Sequence, residues 1–244
     1  MVAELAIPVV ILSALSAKGA VRRVFDENAP VVRPPAKVTI IIPAWKEPKE
    51  FVMTTIASLK NQNVVKAYPE MFEFIFVDGV PYVDEIRPLV DKVLHAPRGK
   101  LKARDLATRE ASGDIIVSVD ADTYYPPNWL NLVLQEFHKP GVVAVTTSKY
   151  FGEFEPVLNL AKPLYFGSLM LGRGSAYWKW AYYAVGGFDT SKDNGTIEEI
   201  WLEEEAGFYQ RLKHLGEVVY VDAPVIHLGE EAPWQMMAGR GLRS

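Results

Sequence analysis

The sequence contains no cysteine. Disulfides, thiolate metal sites and cysteine nucleophiles are therefore excluded. Only four histidines occur in 244 residues, so any metal must be held mainly by carboxylates. The formal net charge is only −4, which gives no global field that favours nucleic acid, and no nucleic-acid partner is expected. No G-x-G-x-x-G follows the first apolar strand, and no G-x-x-x-x-G-K-[ST] occurs anywhere, which disfavours a dinucleotide fold and a P-loop. Internal repeats and low-complexity segments are absent too. What is present, 49% hydrophobic and 23% charged residues, is ordinary for a folded chain and sufficient for one large α/β domain or two small ones.

Residues 1–26 read as an apolar N-terminal helix, almost wholly hydrophobic from Val2 to Ala17 and followed by Lys18, Arg22 and Arg23. A secretory signal carries its positive charge before the apolar stretch, so that reading is poor. The run is at the short limit for spanning a bilayer, where roughly 17–25 residues are needed. Two readings stay open: membrane association through the N-terminus with a basic cytoplasmic flank, or a helix packed on the domain. Residues 27–37 (ENAPVVRPPAK) are proline-rich and read as a linker, leaving 38–244 as the main domain.

From Val38 strands and helices alternate. VTIII is a buried strand ending at Pro43, and Val52, Ile56 and Leu59 share one helical face. FEFIFV is the second strand, ending at Asp78. The spacing of Ile86, Leu89, Val90 and Val93 predicts a helix, and Leu101 to Ala111 a further one. Asp114 to Asp120 is the third strand, Val142 to Thr147 another, Glu199 to Leu215 a helix, and Val218 to Val221 a last strand. This order predicts a Rossmann-like, mainly parallel sheet flanked by helices, with ligands at the carboxyl ends of the strands. Asp78, Asp120 and Asp122 all fall on that edge.

Asp120 and Asp122, one alanine apart at the end of a buried strand, need a positive partner, because burying two like charges is costly. A hard divalent cation that also bridges phosphate oxygens fits that spacing, Mg2+ or Mn2+ with one or two carboxylates. An acidic turn capping the next segment is the plain alternative. Just upstream, RGKLKAR places Arg98, Lys100, Lys102 and Arg104 as counter-charge, or as a solvated helix face. Asp78 has the chemistry to accept from a base edge, or to form a turn before Gly79.

In this order the motifs resemble those of the inverting glycosyltransferases of family 2. The first strand's P-x-x-x-E element appears as Pro43, Ala44 and Glu47; the nucleoside-contacting aspartate as Asp78; a G-K-x-x-A-R-N segment as GKLKARD, with Lys100, Arg104 and Asp105 in place of asparagine; the D-x-D as Asp120, Ala121 and Asp122. GRGSAYWKWAYYAVGGFD resembles the acceptor-side element, with Gly174, Ser175, Tyr177 and Trp178. Glu203-Glu204-Glu205 before Arg211-Leu212 falls at the acidic helix whose second acid is the general base, which is Glu205 with Glu204 beside it. His227 matches a third metal ligand of some members. Trp234 and Arg240 loosely match the tail of membrane-linked, cellulose-synthase-like members, as acceptor and diphosphate contacts respectively.

The resemblance implies an α/β nucleotide-diphospho-sugar transferase (GT-A) fold, with 38–122 as the nucleotide-sugar half and 123–244 as the acceptor half. It implies a divalent-metal-dependent enzyme that moves a sugar from a nucleotide-diphosphate donor to a lipid-linked or polysaccharide acceptor at a membrane, with its catalytic domain cytoplasmic. GDP-mannose stands ahead of UDP-sugars as donor. The transmembrane helices that usually follow in synthase-like members are not in this sequence, which is expected of a small relative or of a piece of a longer chain. A nucleotidyltransferase would need a glycine-rich phosphate loop, which VTIIIPAWKE lacks. A non-catalytic glycan- or partner-binding module would keep the fold without turnover.

Overall fold

The computed structural model describes residues 19–149, 174–194, 203 and 207–229. Val38–Pro43 (β1) is a run of β-branched residues, and its side chains alternate between two buried cores as a strand's must. Ile40 and Ile42 face one cluster with Val52, Ile56 and Leu59 of helix α1 (Lys49–Lys60), while Ile41 faces the other with Leu101 and Ala107 of α4 (Lys100–Glu110). A strand buried on both faces belongs in a parallel sheet covered by helices. Accordingly β1 pairs in parallel with β2 (Phe72–Asp78) and β4 (Ile115–Ser118), and β2 with β3 (Lys92–His95).

Beyond β4 the sheet changes character. β7 (Ser175–Trp178) is antiparallel to both β4 and β6 (Val142–Lys149), β6 is parallel to β8 (Glu217–His227), and β5 (Thr123–Tyr124) pairs antiparallel with the end of β8. The order is β3-β2-β1-β4-β7-β6-β8-β5. Helices α2 (Asn63–Ala67), α3 (Val83–Ile86), α5 (Trp129–Glu136), α6 (Lys179–Ala184) and α7 (Phe208–Lys213) complete the described elements.

Of the helix expected over Glu199 to Leu215 only Phe208–Lys213 is a described helix, and 199–202 and 204–206 lie outside the described residues. The other strands and helices expected from the apolar pattern are present where the residues are described, with one correction. The helix predicted across Ile86 to Val93 is a single turn, α3, then a 3-10 turn over Arg87–Leu89 and the strand β3. Pro88 has no N–H to continue a helix, and the backbone of Val93 pairs instead with Phe76. The last strand is also longer than expected, because β8 runs on through His227.

The N-terminal segment, from where it is described, packs on the domain. Ala20 and Val24 are buried, Asn128 donates its backbone N–H to Val24 O at 2.8 Å, and Asn63 Nδ2 donates to Asp26 O at 2.9 Å. The proline-rich run 27–37 is fastened to α5: Asn131 Oδ1 accepts from Val32 N at 3.1 Å and its Nδ2 donates to Pro30 O at 3.0 Å. Among the described residues no helix is long and apolar enough to cross a membrane, and residues 1–18 lie outside them.

At the amino-end pole of the sheet Glu73 of β2 is a buried carboxylate. Its Oε2 accepts from Thr39 Oγ1 at 2.6 Å and from Ser112 N at 2.7 Å, and Lys92 Nζ lies 3.0 Å from Oε1. Burial alone would raise its pKa; the donors from Thr39, Ser112 and Lys92 together overcome this and lower it to about 2 from 4.5. Its folded-state pKa thus lies below its unfolded value, so its stabilisation is complete above pH 4.5 and is lost as pH falls towards 2. Thermal melts across that window should therefore show a shallower acid-side loss for Glu73→Gln than for the parent chain, from a lower starting midpoint.

Candidate active site

The carboxyl ends of β1, β2 and β4, with the start of α4, enclose a cleft of about 700 Å³. Its floor is the turn after β4. Asp120 there is held by cations from α4: Arg104 Nη2 donates to Oδ1 at 2.7 Å, and Lys100 Nζ lies 3.6 Å from the same atom. Arg104 is only 2% exposed, so a guanidinium buried beneath the turn, rather than a solvated helix face, answers the charge problem. Asp122 points the other way, its Oδ2 2.9 Å from His227 Nε2. The register Thr123↔His227 between β5 and β8 puts that imidazole there.

The turn is held from below by Thr55 and Ser58 on α1 and by Gln62 in the link between α1 and α2, all three buried. Thr55 Oγ1 lies 3.0 Å from Ala121 O and 2.8 Å from Thr123 O, and accepts from Thr123 N. Ser58 Oγ accepts from Tyr125 N at 3.1 Å, and Gln62 Nε2 donates to Tyr125 O and Pro126 O at 2.9 and 2.8 Å. The Tyr125 hydroxyl accepts from Asp120 N at 3.1 Å. Complete burial, then the Asp120 charge, push that hydroxyl's pKa far up, so it stays neutral.

The upper wall carries the first motif. Glu47 Oε2 accepts from Trp45 N at 2.6 Å and from Lys46 N at 2.9 Å, so this carboxylate shapes the turn after Pro43 and Ala44. Tyr82 donates to Glu47 O at 2.5 Å, and burial, with the Glu47 charge second, raises its pKa to about 12. Asp78 lies between Val80 N, 2.9 Å from Oδ1, and His95 Nδ1, 3.0 Å from Oδ2. Gly79 is required beside it, since a Cβ there would stand 2.5 Å from Ala44 O. At the mouth the Arg98 guanidinium lies 5.5 Å from the centre of the half-exposed Trp45 ring.

The cleft thus gathers Pro43, Ala44, Glu47, Asp78, Lys100, Asp120, Ala121, Asp122 and His227, all expected from sequence, with Arg104 behind them. It also takes in Arg98, expected as counter-charge, and Trp45, Gly99 and Asp193, which sequence reasoning missed as cleft residues. Asp105, the departure from the family pattern, accepts from the Tyr182 hydroxyl and pairs with Arg109 Nε at 2.8 Å, so its extra charge is neutralised locally. Burial, then Asp105, raise the Tyr182 hydroxyl's pKa.

The expected acceptor residues are placed differently. The register Ser118↔Ser175 and Ile115↔Trp178 puts Ser175 at the site end of β7 and Trp178 at the far end. Tyr177 is fully buried, its hydroxyl 2.9 Å from Thr108 Oγ1, and Trp178 donates Nε1 to Val142 O at 3.0 Å. Tyr177 is corrected to a core residue and Trp178 to a residue partly buried against the core, because the register sets both opposite the amino end of β4, away from the cleft. Gly174 and Ser175 are buried near the site end, where a Cβ on Gly174 would lie 2.8 Å from the Trp129 ring. Glu204, Glu205, Trp234 and Arg240 lie outside the described residues. Glu203 is described, and it is occupied: Arg211 Nη2 lies 2.5 Å from Oε1, which also accepts from Asp189 N at 2.9 Å.

This geometry meets independent similarity. A model of glycosyl transferase family 2 matches residues 39–186. The chain belongs to that family. An N-acetylglucosaminyltransferase of Sinorhizobium fredii is 28% identical over 120 residues, 45% of this chain and 28% of that protein. A hyaluronan synthase of Streptococcus pyogenes is 29% identical over 124 residues, 45% of this chain and 29% of that protein. The matched part is less than a third of these relatives' length. Among solved structures, the mannosyltransferase PcManGT of Pyrobaculum calidifontis, in complex with GDP-Man and Mn2+, superposes with a TM-score of 0.63 at 20% identity, over 96% of this chain and 72% of that one. GalNAc-T7 with UDP, GalNAc and Mn2+ gives 0.60 at 15%, over 79% of this chain and 44% of that one. The fold is GT-A, and residues 39–186 carry the glycosyl transferase family 2 domain.

Removing one partner of a buried ion pair typically costs about 3–5 kcal/mol. Arg104→Met should accordingly lower unfolding stability by about 3 kcal/mol in urea titration. Asp120→Asn in the same background should recover part of that loss, since the orphaned charge goes with it.

Proposed function

We propose that the chain transfers a sugar from a nucleotide-diphosphate donor, with inversion, to a hydroxyl of a lipid-linked or polysaccharide acceptor, using a divalent cation. The observation that carries the reading is the asymmetric aspartate pair: Asp120 is engaged by Arg104 and Lys100, while Asp122 and His227 face each other across 2.9 Å. A cleft with Glu47, Asp78, Asp120, Asp122 and Asp193 in its walls would repel a diphosphate on its own. Asp122 and His227 would hold a divalent cation, which would supply the charge that offsets this repulsion. Among the described residues no third His, Asp or Glu converges with them. A nitrogen donor beside a carboxylate suits Mn2+ better than Mg2+.

When bound, the cation supplies Lewis-acid neutralisation of the charge on the departing diphosphate. Lys100 and Arg104 keep Asp120 ionised and fixed at its side. Asp78, an acceptor oriented by Val80 and His95, takes N–H donors from the base edge. Glu205, with Glu204 beside it, removes the proton of the acceptor hydroxyl as it attacks the anomeric carbon from the opposite face. No covalent intermediate is required.

GDP-mannose is the first donor reading, because guanine offers two adjacent N–H donors to a carboxylate such as Asp78. A donor of N-acetylglucosamine is the second, favoured by the name of the Sinorhizobium relative. The apolar stretch Val2 to Ala17 with its basic flank supports an acceptor at a membrane, reached from the cytoplasmic side.

Calorimetry with GDP, GDP-mannose, UDP and UDP-N-acetylglucosamine, each with and without Mn2+, tests the reading. Mn2+-dependent binding of one nucleotide class is expected, and Asp122→Asn should abolish the metal-dependent part. Glu205→Gln should retain binding and lose about 10²–10⁴ in turnover. Metal-independent binding of either class, or normal turnover by Glu205→Gln, would contradict it.

A further inference from the structure

Helix α4 carries the two cations that grip Asp120, yet it has no cap of its own. Its N-cap position is Gly99, with no side-chain hydrogen bond, and its first turn has no acidic residue. The missing acceptor comes from far along the chain. Asp193, in the 3-10 turn Thr190–Asn194, accepts from Leu101 N at 3.0 Å through Oδ1 and from Lys102 N at 2.7 Å through Oδ2. Gly99, at φ 143°, leaves room for it: a Cβ there would stand 2.2 Å from Asp193 Oδ2.

We propose that Asp193 is a positioning residue for the donor site: by capping α4 it sets Lys100 and Arg104 against Asp120, and so fixes the turn that presents Asp122. The proposal rests on the reading of this cleft as the nucleotide-sugar site. A carboxylate on orphan amides at a helix N-terminus satisfies donors and opposes the dipole, which locates the first turn. Lys100 is the helix's first residue and Arg104 lies one turn on, so displacement of that turn moves both away from Asp120. The capping turn follows the Gly186-Gly187 bend, whose Gly187 O accepts from Arg211 Nη2 at 2.8 Å. The donor side of the cleft is therefore braced by the chain's second half.

The test compares the full chain with Asp193→Ala, with Gly99→Ala, which crowds the same contact from the other side, and with Asp84→Ala, an exposed aspartate of α3 outside the cleft and the capping turn. Amide hydrogen exchange is read at residues 100–104 and 119–122, and Mn2+-dependent nucleotide binding by calorimetry. Asp193→Ala and Gly99→Ala should both lose protection at both segments and weaken nucleotide binding about five- to tenfold, with Asp84→Ala unchanged. Exchange that rises only at 100–104 would overturn the proposal, reducing Asp193 to a local cap. Tighter nucleotide binding by Asp193→Ala would also overturn it, because the carboxylate would then only be excluding an anion from the cleft. A parent chain that binds no nucleotide would defeat the reading of the site, while exchange at 119–122 would still decide the proposal.

Discussion

Everything at this site depends on how two carboxylates one residue apart are kept apart in charge. Like charges at that separation in a partly buried turn cannot both stay ionised without compensation. The protein solves this unequally. A buried guanidinium and an ammonium are spent on Asp120, and only an imidazole on Asp122. The first pairing makes Asp120 part of the frame. The second leaves a carboxylate oxygen and an imidazole nitrogen facing each other at the cleft wall. A pair of equally bridged aspartates would have been more stable and of less use.

The sheet puts that turn where the chain can surround it. β4 is the last of the parallel strands, and its far neighbour β7 runs the other way. At this change of direction the carboxyl end of β4 is left open, and β8 closes it from the side by pairing with β5. Leu228 N donates to Asp122 O at 2.8 Å, so the strand that delivers His227 also holds the backbone of its partner. Lengthening β8 through His227 is thus a requirement of the site as much as of the sheet.

Much of this is legible in the sequence because it follows from local rules. β-Branched runs ending in Pro43, Asp78 and Asp120 mark strand ends, and strand ends in such a sheet mark the site. The exceptions have particular causes. Ile86, Leu89, Val90 and Val93 keep helical spacing, but Pro88 between them breaks the helix, so Ile86 reaches the core from α3, Leu89 from the 3-10 turn and Val93 from the edge strand β3. β7 hides in an aromatic stretch in which buried Tyr177 and exposed Trp180 look alike. Asp193 was invisible because its partners, Leu101 and Lys102, stand 92 and 91 residues away. The set of Thr55, Ser58 and Gln62 was in view and was the signal to read. Three buried hydrogen-bonding residues in and just after one helix must have backbone to hold, and the backbone they hold is the turn that carries Asp120 and Asp122 and the residues after it.

Helix α4 shows why these distant contacts matter to the chemistry. At its carboxyl end Lys179 Nζ donates to Ala111 O at 2.6 Å, where a cation also favours the helix dipole. The next turn is locked by Ser112 N on Glu73 and by Gly113 N on Thr39 Oγ1 at 2.9 Å. With Asp193 at the other end, the helix is fixed at both termini by residues from outside its own sequence. An ion pair over 2.7 Å in a dry setting loses attraction steeply as it lengthens, while the cost of having buried the guanidinium does not fall. Arg104 therefore compensates Asp120 only as long as α4 cannot slide, and both of its ends are tied down accordingly.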